Sequence, residues 1–112
     1  MKFWWFKFEG WFADDSTEFP GEGVYSQCMV RAAFDQAEFE FLTGLTARKI
    51  NLVEIEDHHL VDVNPAERDY ENSDNRYWLD WCEETELEGK PTFESLHLYP
   101  ADEVERLAPE GN

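Results

Sequence analysis

Residues 2–12 read KFWWFKFEGWF, and this aromatic stretch decides the fold. Side chains along a strand alternate between two faces, and large aromatic residues favour strands. From the fourth residue onward the even-numbered positions are apolar, whereas the odd-numbered positions mix aromatic residues with Lys7 and Glu9. The alternation predicts a first strand with one fully apolar face.

The sequence that follows predicts a hairpin and then a helix. Residues 14–23 hold Asp, Ser, Thr, Pro and two Gly, and strand-forming residues resume at 24–33, so the two strands are expected to pair antiparallel. Asp35 is placed to cap the helix, and Phe34 to pack on Phe39 as a hydrophobic staple. The helix is expected to continue through residue 45 and to bury Ala37, Phe41, Leu42 and Leu45.

The second half of the chain predicts two β-rich stretches, a polar segment, a helix and a last strand. Residues 52–56 and 60–63 favour strands, and the Asp-His-His sequence at 57–59 is expected to turn between them. The polar residues 66–76 predict a long loop, and a second helix begins at its end. The buried face of that helix comprises Trp78, Trp81, Cys82 and Thr85, Gly89 ends it, and the last strand covers residues 93–99.

The element order β-β-α-β-(β)-α-β defines the predicted fold class, which is α+β. We expect a two-layer sandwich, in which a mixed but mostly antiparallel sheet of four to five strands carries two helices on one face. The ferredoxin-like arrangement is the first hypothesis. A length of 112 residues suits one domain. The domain is expected to span residues 1–100, with a frayed acidic tail at 101–112.

The net charge of the chain excludes some classes of function and favours others. The 26 acidic residues outnumber the 9 basic ones, and the formal net charge is −17. An acidic field repels nucleic acids and anionic membranes, and it accelerates encounter with cationic proteins. We therefore expect a soluble, cytoplasmic protein that binds a basic protein and neither nucleic acid nor membrane. No targeting segment is recognisable, and the distant Cys28 and Cys82 are expected to stay unpaired.

No motif indicates catalysis or a cofactor. Glu56 and residues 57–59 include metal-ligand types, but neighbouring residues on a strand point to opposite faces and do not converge on one ion. The sequence also lacks a nucleophile elbow, a phosphate-binding glycine loop and a calcium loop. It predicts no catalytic residue, no metal site and no cofactor.

The distribution of acids is the strongest signal of function. Residues 54–88 contain 13 acids and two bases, which accounts for −11 of the total charge of −17. Like charges three and four positions apart destabilise a helix, and a face that serves only solubility usually includes lysines. Such a face remains the alternative to a binding surface, but nearby tyrosines favour an interface. The predicted partner-binding residues are Glu67, Asp69, Tyr70, Glu71, Asp74, Tyr77, Asp80, Glu83, Glu84, Glu86 and Glu88.

Three functions fit these patterns. The leading hypothesis is an acidic inhibitor of the immunity-protein type, which neutralises a cationic, nuclease-like toxin or enzyme by occupying its substrate cleft. The first alternative is a mimic of DNA charge that blocks a host nucleic-acid-binding protein. The second is a regulatory α+β module that holds a small ligand. Gathering of the acids of residues 54–88 on one exposed face would favour the first two hypotheses over the third.

Overall fold

The computed structural model describes residues 2–61 and 73–104, except for the side chains of 73–75. One short 3₁₀ turn precedes the first helix and another follows the last strand. The main elements are β1 (Lys2–Phe12), β2 (Gly23–Ala32), α1 (Ala37–Ala47), β3 (Ile50–Leu60), α2 (Ser73–Glu88) and β4 (Thr92–Tyr99). The predicted α+β class, with two helices and an antiparallel sheet, is confirmed.

The β1–β2 hairpin lies at the centre of the sheet, and the strand order is β3-β1-β2-β4. All three strand pairs are antiparallel, with Trp4 opposite Val30 and Gln27 opposite Glu94 as examples of the register. The chain shares an antiparallel four-stranded sheet and two helices with ferredoxin-like folds. It opens with a hairpin instead of a β-α-β unit, however, so the ferredoxin-like order is not confirmed.

The two helices cover opposite faces of the sheet, and the prediction that both lie on one face is wrong. Phe6 belongs to the core beneath α1, whereas the adjacent Trp5 belongs to a second core beneath α2. Because successive strand residues point to opposite faces, these cores are separated by the sheet. The physical reason is that β1 is aromatic on both faces, so each face gains from burial.

The α1 side is built on stacked aromatic rings. The Phe41 ring stacks on Phe6 with a centroid distance of 4.4 Å and meets Phe8 edge-on at 5.3 Å. Of the predicted stripe, Ala37, Phe41 and Leu45 are buried, whereas Leu42 is exposed.

The start of α1 differs from its prediction. A 3₁₀ turn precedes the helix, and no side chain caps either element, so the predicted Asp35 cap is wrong. Phe34 and Phe39 are 83% and 64% exposed, so they do not form a buried staple. Instead, the Phe34 ring meets the edge of Trp4 at 5.5 Å, because the 3₁₀ turn directs it towards β1.

Residues 57–59 belong to a continuous β3, so the predicted turn there is wrong. The His58 ring stacks with Phe6 on one face, and the His59 ring packs on Trp5 on the other, at 5.8 and 4.7 Å. Two bulges, at Val53 and Glu56, absorb the irregular register within β3. The predicted strand residues 62 and 63 lie outside the described residues.

Helix α2 begins at Ser73, so residues 73–76 of the predicted loop are helical, and residues 66–72 lie outside the description. It ends at Glu88, and Gly89 adopts a φ of +67°, as predicted for a C′ glycine. In the part of the chain that the structure describes, no helix is long and apolar enough to cross a membrane.

Both cysteines are free and buried, as predicted. Cys28 lies in the core on the α1 side and Cys82 in the core on the α2 side, so the sheet separates them. Burial raises the pKa of the Cys28 thiol, and it raises that of Cys82 to about 11. Neither thiol is therefore activated as a nucleophile.

Candidate protein-binding surface

Helix α2 is attached to the sheet by a tryptophan. Trp81 is buried against Trp5 and Met29, which are odd-numbered strand residues and share the face opposite α1. Trp78 lies one turn earlier and stacks on Trp81 at 5.8 Å, and its ring meets Trp5 edge-on at 6.0 Å. Of the predicted buried face, Trp81, Cys82 and Thr85 are buried and Trp78 is partly buried, and Leu79 is buried as well.

Hydrogen bonds fix the rotation of α2 about its axis. The Trp81 Nε1–H donates to Thr92 Oγ1 on β4 at 2.8 Å, and the hydroxyls of Thr85 and Thr92 are 2.7 Å apart. Nearer the helix start, the Tyr77 hydroxyl donates to a Glu94 carboxylate oxygen at 2.5 Å. Because these bonds are directional, they determine which side of α2 faces solvent.

The side of α2 that faces solvent is acidic. Asp80, Glu84 and Glu88 follow one another at intervals of four residues, and all three side chains are exposed. Each step of four residues advances about 6 Å along the helix, so the carboxylates form a row. Glu83 and Glu86 lie beside this row, and the last turn of α2 contains no base.

Acids of β3 extend this surface past the helix. Glu54 is directly opposite Glu9, and Asp57 is directly opposite Lys7. Residues opposite each other in an antiparallel pair share a face, and Glu9 and Lys7 are odd-numbered residues on the α2 side. The Glu56 carboxylate also reaches this side, since it lies 3.8 Å from Lys7 Nζ.

All eight acids of residues 54–88 whose side chains are described therefore lie on the α2 side of the sheet. We call them the α2-side acidic surface, which comprises Glu54, Glu56, Asp57, Asp80, Glu83, Glu84, Glu86 and Glu88.

Few bases offset this charge. Besides the Lys7–Glu56 contact, Arg31 approaches Glu86 and Arg76 approaches Asp80, each at 3.8 Å. These side chains are largely exposed, and ion pairs of this kind contribute little to stability. Within the described ranges, Glu84 and Glu88 make no ion pair. The carboxylates of Glu84 and Glu88 are therefore available to a partner.

The structure places seven of the eleven predicted partner-binding residues on α2. Asp74, Tyr77, Asp80, Glu83, Glu84, Glu86 and Glu88 belong to the helix, although the side chain of Asp74 is not described. Glu67, Asp69, Tyr70 and Glu71 lie outside the described residues.

Tyr77 already makes several contacts within the chain. Its ring packs on Trp78 and Trp81, its hydroxyl is bonded to Glu94, and 44% of the residue is exposed. Burial and the neighbouring Glu94 carboxylate raise its pKa to about 12, because both disfavour the tyrosinate. The exposed part of the ring can still contact a partner, but the hydroxyl is already bonded.

Sequence reasoning missed the residues that hold this surface in place. Thr92 and Glu94 on β4 bind α2, and neither was singled out. Their alternation on β4 was the available signal, because it gives the last strand a polar face towards the helix.

Among the described residues, no group of three His, Cys, Asp or Glu is arranged to hold a metal ion. His58 and His59 point to opposite faces, as their positions on a strand require.

No protein-family model matches this chain, and no curated protein or solved structure matches it either. The function must therefore be inferred from geometry and charge.

Proposed function

We propose that this protein binds a basic protein through its α2-side acidic surface and blocks it, in the manner of an immunity protein that neutralises a cationic, nuclease-like toxin. The observation that carries the proposal is the one-sided placement of the described acids of residues 54–88. Clustered charge of one sign steers a partner of the opposite sign and sets the orientation of the encounter.

The cost of the acidic row supports a role beyond solubility. Asp80, Glu84 and Glu88 repel one another at four-residue spacing, and Glu88 also faces the negative end of the helix dipole. Each such contact destabilises a helix by a few tenths of a kcal/mol. A surface serving only solubility gains nothing from this arrangement, whereas a binding surface gains potential.

The rigid attachment of α2 supports an inhibitor. Trp81 is buried and its indole N–H is bonded, so the row of acids is held in place before a partner arrives. Preorganised charge avoids the ordering cost that a flexible acidic tail would incur on binding. The two buried thiols suit a reducing compartment, which is consistent with our proposal that the protein acts in the cytoplasm.

Capture of partners at two salt concentrations tests the proposal. The protein is immobilised with extract from its own cell at low salt, and proteins released at moderate salt are identified. Association of the main basic component is then measured for wild type and for the double variant Glu84→Lys/Glu88→Lys. We expect association at low salt to slow by on the order of tenfold and its salt dependence to flatten.

A matched variant separates surface charge from net charge. Asp102→Lys/Glu103→Lys makes the same change in net charge in an exposed turn that follows β4, at the end of that strand remote from α2. The proposal predicts nearly unchanged association for this control. Equal slowing by both double variants would show that only net charge matters and would reject the surface.

A further inference from the structure

Exposed apolar side chains gather on the other side of the sheet, around the start of α1. Phe34 is the most exposed of them at 83%, and Leu60 is 38% exposed. By strand register, Leu60 lies opposite Trp4 and so shares the α1 side. Exposed apolar groups in one place mark interaction sites, whereas isolated ones do not.

Phe34 lines a groove of about 330 Å³ between the start of α1 and the edge strand β3. The volume is large enough for one or two large side chains and is open along one side. We call it the α1–β3 groove, and its main lining residues are Trp4, Phe6, Phe34, Glu38, Ile55 and His58.

The walls of the groove are held in position within the chain. The Trp4 Nε1–H donates to the Ala32 carbonyl oxygen at 3.2 Å, and Phe34 packs on the Trp4 ring. His58 stacks on Phe6, which is buried under α1. An apolar side chain entering the groove therefore meets formed walls and loses little free energy to their ordering.

The charges at the groove identify its occupant. Glu38 lines the groove and Asp35 directly follows Phe34, and neither makes an ion pair in the described part of the chain. Lys2 is the base that register places on this face of β1. A second copy of this chain would bring a further charge of −17 against these acids, which disfavours self-association.

We propose that the α1–β3 groove binds an amphipathic segment of a basic protein. One large apolar side chain of the segment enters between Phe34 and Ile55, and a lysine or arginine of the segment pairs with Glu38. The groove lies across the sheet from the α2-side acidic surface, so binding at the groove can be tested independently of binding at that surface.

The probe for this site is a dye-labelled synthetic amphipathic peptide that is made of Leu and Lys. We expect Phe34→Ser to weaken its binding about tenfold, since a central aromatic anchor is lost. Leu87→Ser is the matched control, because Leu87 is 88% exposed on α2, outside the groove. Fluorescence anisotropy should give nearly wild-type affinity for this control. Equal affinity of wild type and Phe34→Ser would overturn the proposal.

The choice of occupant is tested by charge. An otherwise identical peptide of Leu and Glu should bind at least tenfold more weakly than the Leu and Lys peptide. Glu38→Lys should weaken the binding of the Leu and Lys peptide and reduce the salt dependence of that binding. This second variant tests the proposal even if Phe34→Ser does not fold. Tight binding of the Leu and Glu peptide overturns the proposal. So does a dimer in sedimentation that Phe34→Ser abolishes, which would make a second copy the occupant.

Discussion

The two sides of the sheet hold their helices by different forces. On one side, stacked phenylalanine rings join α1 to β1, and within the described residues no side-chain hydrogen bond joins α1 to a strand. On the other side, α2 combines a buried tryptophan with bonds to Thr92 and Glu94. Apolar contact is not directional, whereas hydrogen bonds are. The helix that presents a charged surface is therefore the one whose orientation is fixed by polar bonds.

The largest expected effect concerns the apolar side. Phe41→Ala removes the ring that contacts both Phe6 and Phe8, and it should lower the free energy of unfolding by about 3–5 kcal/mol. Urea denaturation measures the loss. Phe39→Ala on the same helix is the control and should change stability by less than about 0.5 kcal/mol, because Phe39 is exposed. Similar losses for both variants would contradict the described orientation of α1.

The second prediction concerns the polar attachment of α2. Trp81→Phe removes the bond to Thr92 and leaves a small cavity, and it should cost about 2 kcal/mol. In a Thr92→Val background the same substitution should cost about 1 kcal/mol less, because the bond is already absent. Additive losses in this double-mutant cycle would mean that the indole is held by packing alone.

Sequence periodicity predicted the elements well and the layers poorly. The C′ position of Gly89 and three of the four residues of the predicted α1 stripe follow local rules and were identified correctly, whereas Leu42 is exposed. The side of the sheet on which α2 packs depends on contacts between distant segments, such as Trp81 with Met29. Alternation in β1 contained the hint, because its odd-numbered positions are also aromatic.

The candidate surface was predicted in its charge and not in its geometry. A count of acids in residues 54–88 identified the region, since charge density is a local property of sequence. The placement of Glu84 on α2 and Asp57 on β3 on the same side of the sheet depends on the strand register and on the face that α2 covers. The predicted staple of Phe34 with Phe39 was wrong because both residues fall outside the buried stripe and are exposed, and Phe34 instead lines the α1–β3 groove.

The third prediction uses high pH to weaken the attachment of α2 to the sheet. Because the pKa of Tyr77 in the folded protein is raised to about 12, the unfolded chain loses this proton first as pH rises. The contribution of Tyr77 to stability is fully present below about pH 10 and is lost as pH approaches 12. Wild type should therefore lose more stability across this range than Tyr77→Phe, as measured by urea denaturation at each pH. Parallel curves for the two proteins would show that the Glu94 bond does not hold the phenol protonated.

The smallest expected effect tests whether the acidic row of α2 costs stability. Glu88→Lys places a cation in a last turn that has no base, where it faces the negative helix end and lies four residues after Glu84. We expect a gain of a few tenths of a kcal/mol that shrinks as salt is added. Glu38→Lys makes the same change of charge in the first turn of α1, where an acid suits the positive helix end, and it should lose a similar amount. A gain in stability for Glu88→Lys together with a loss for Glu38→Lys would show that local placement governs the cost of the acidic row. A gain in both variants would show that the cost comes from the general repulsion within a highly negative chain. Only the first outcome means that the charge of α2 is retained at a local expense in stability, as a binding surface requires.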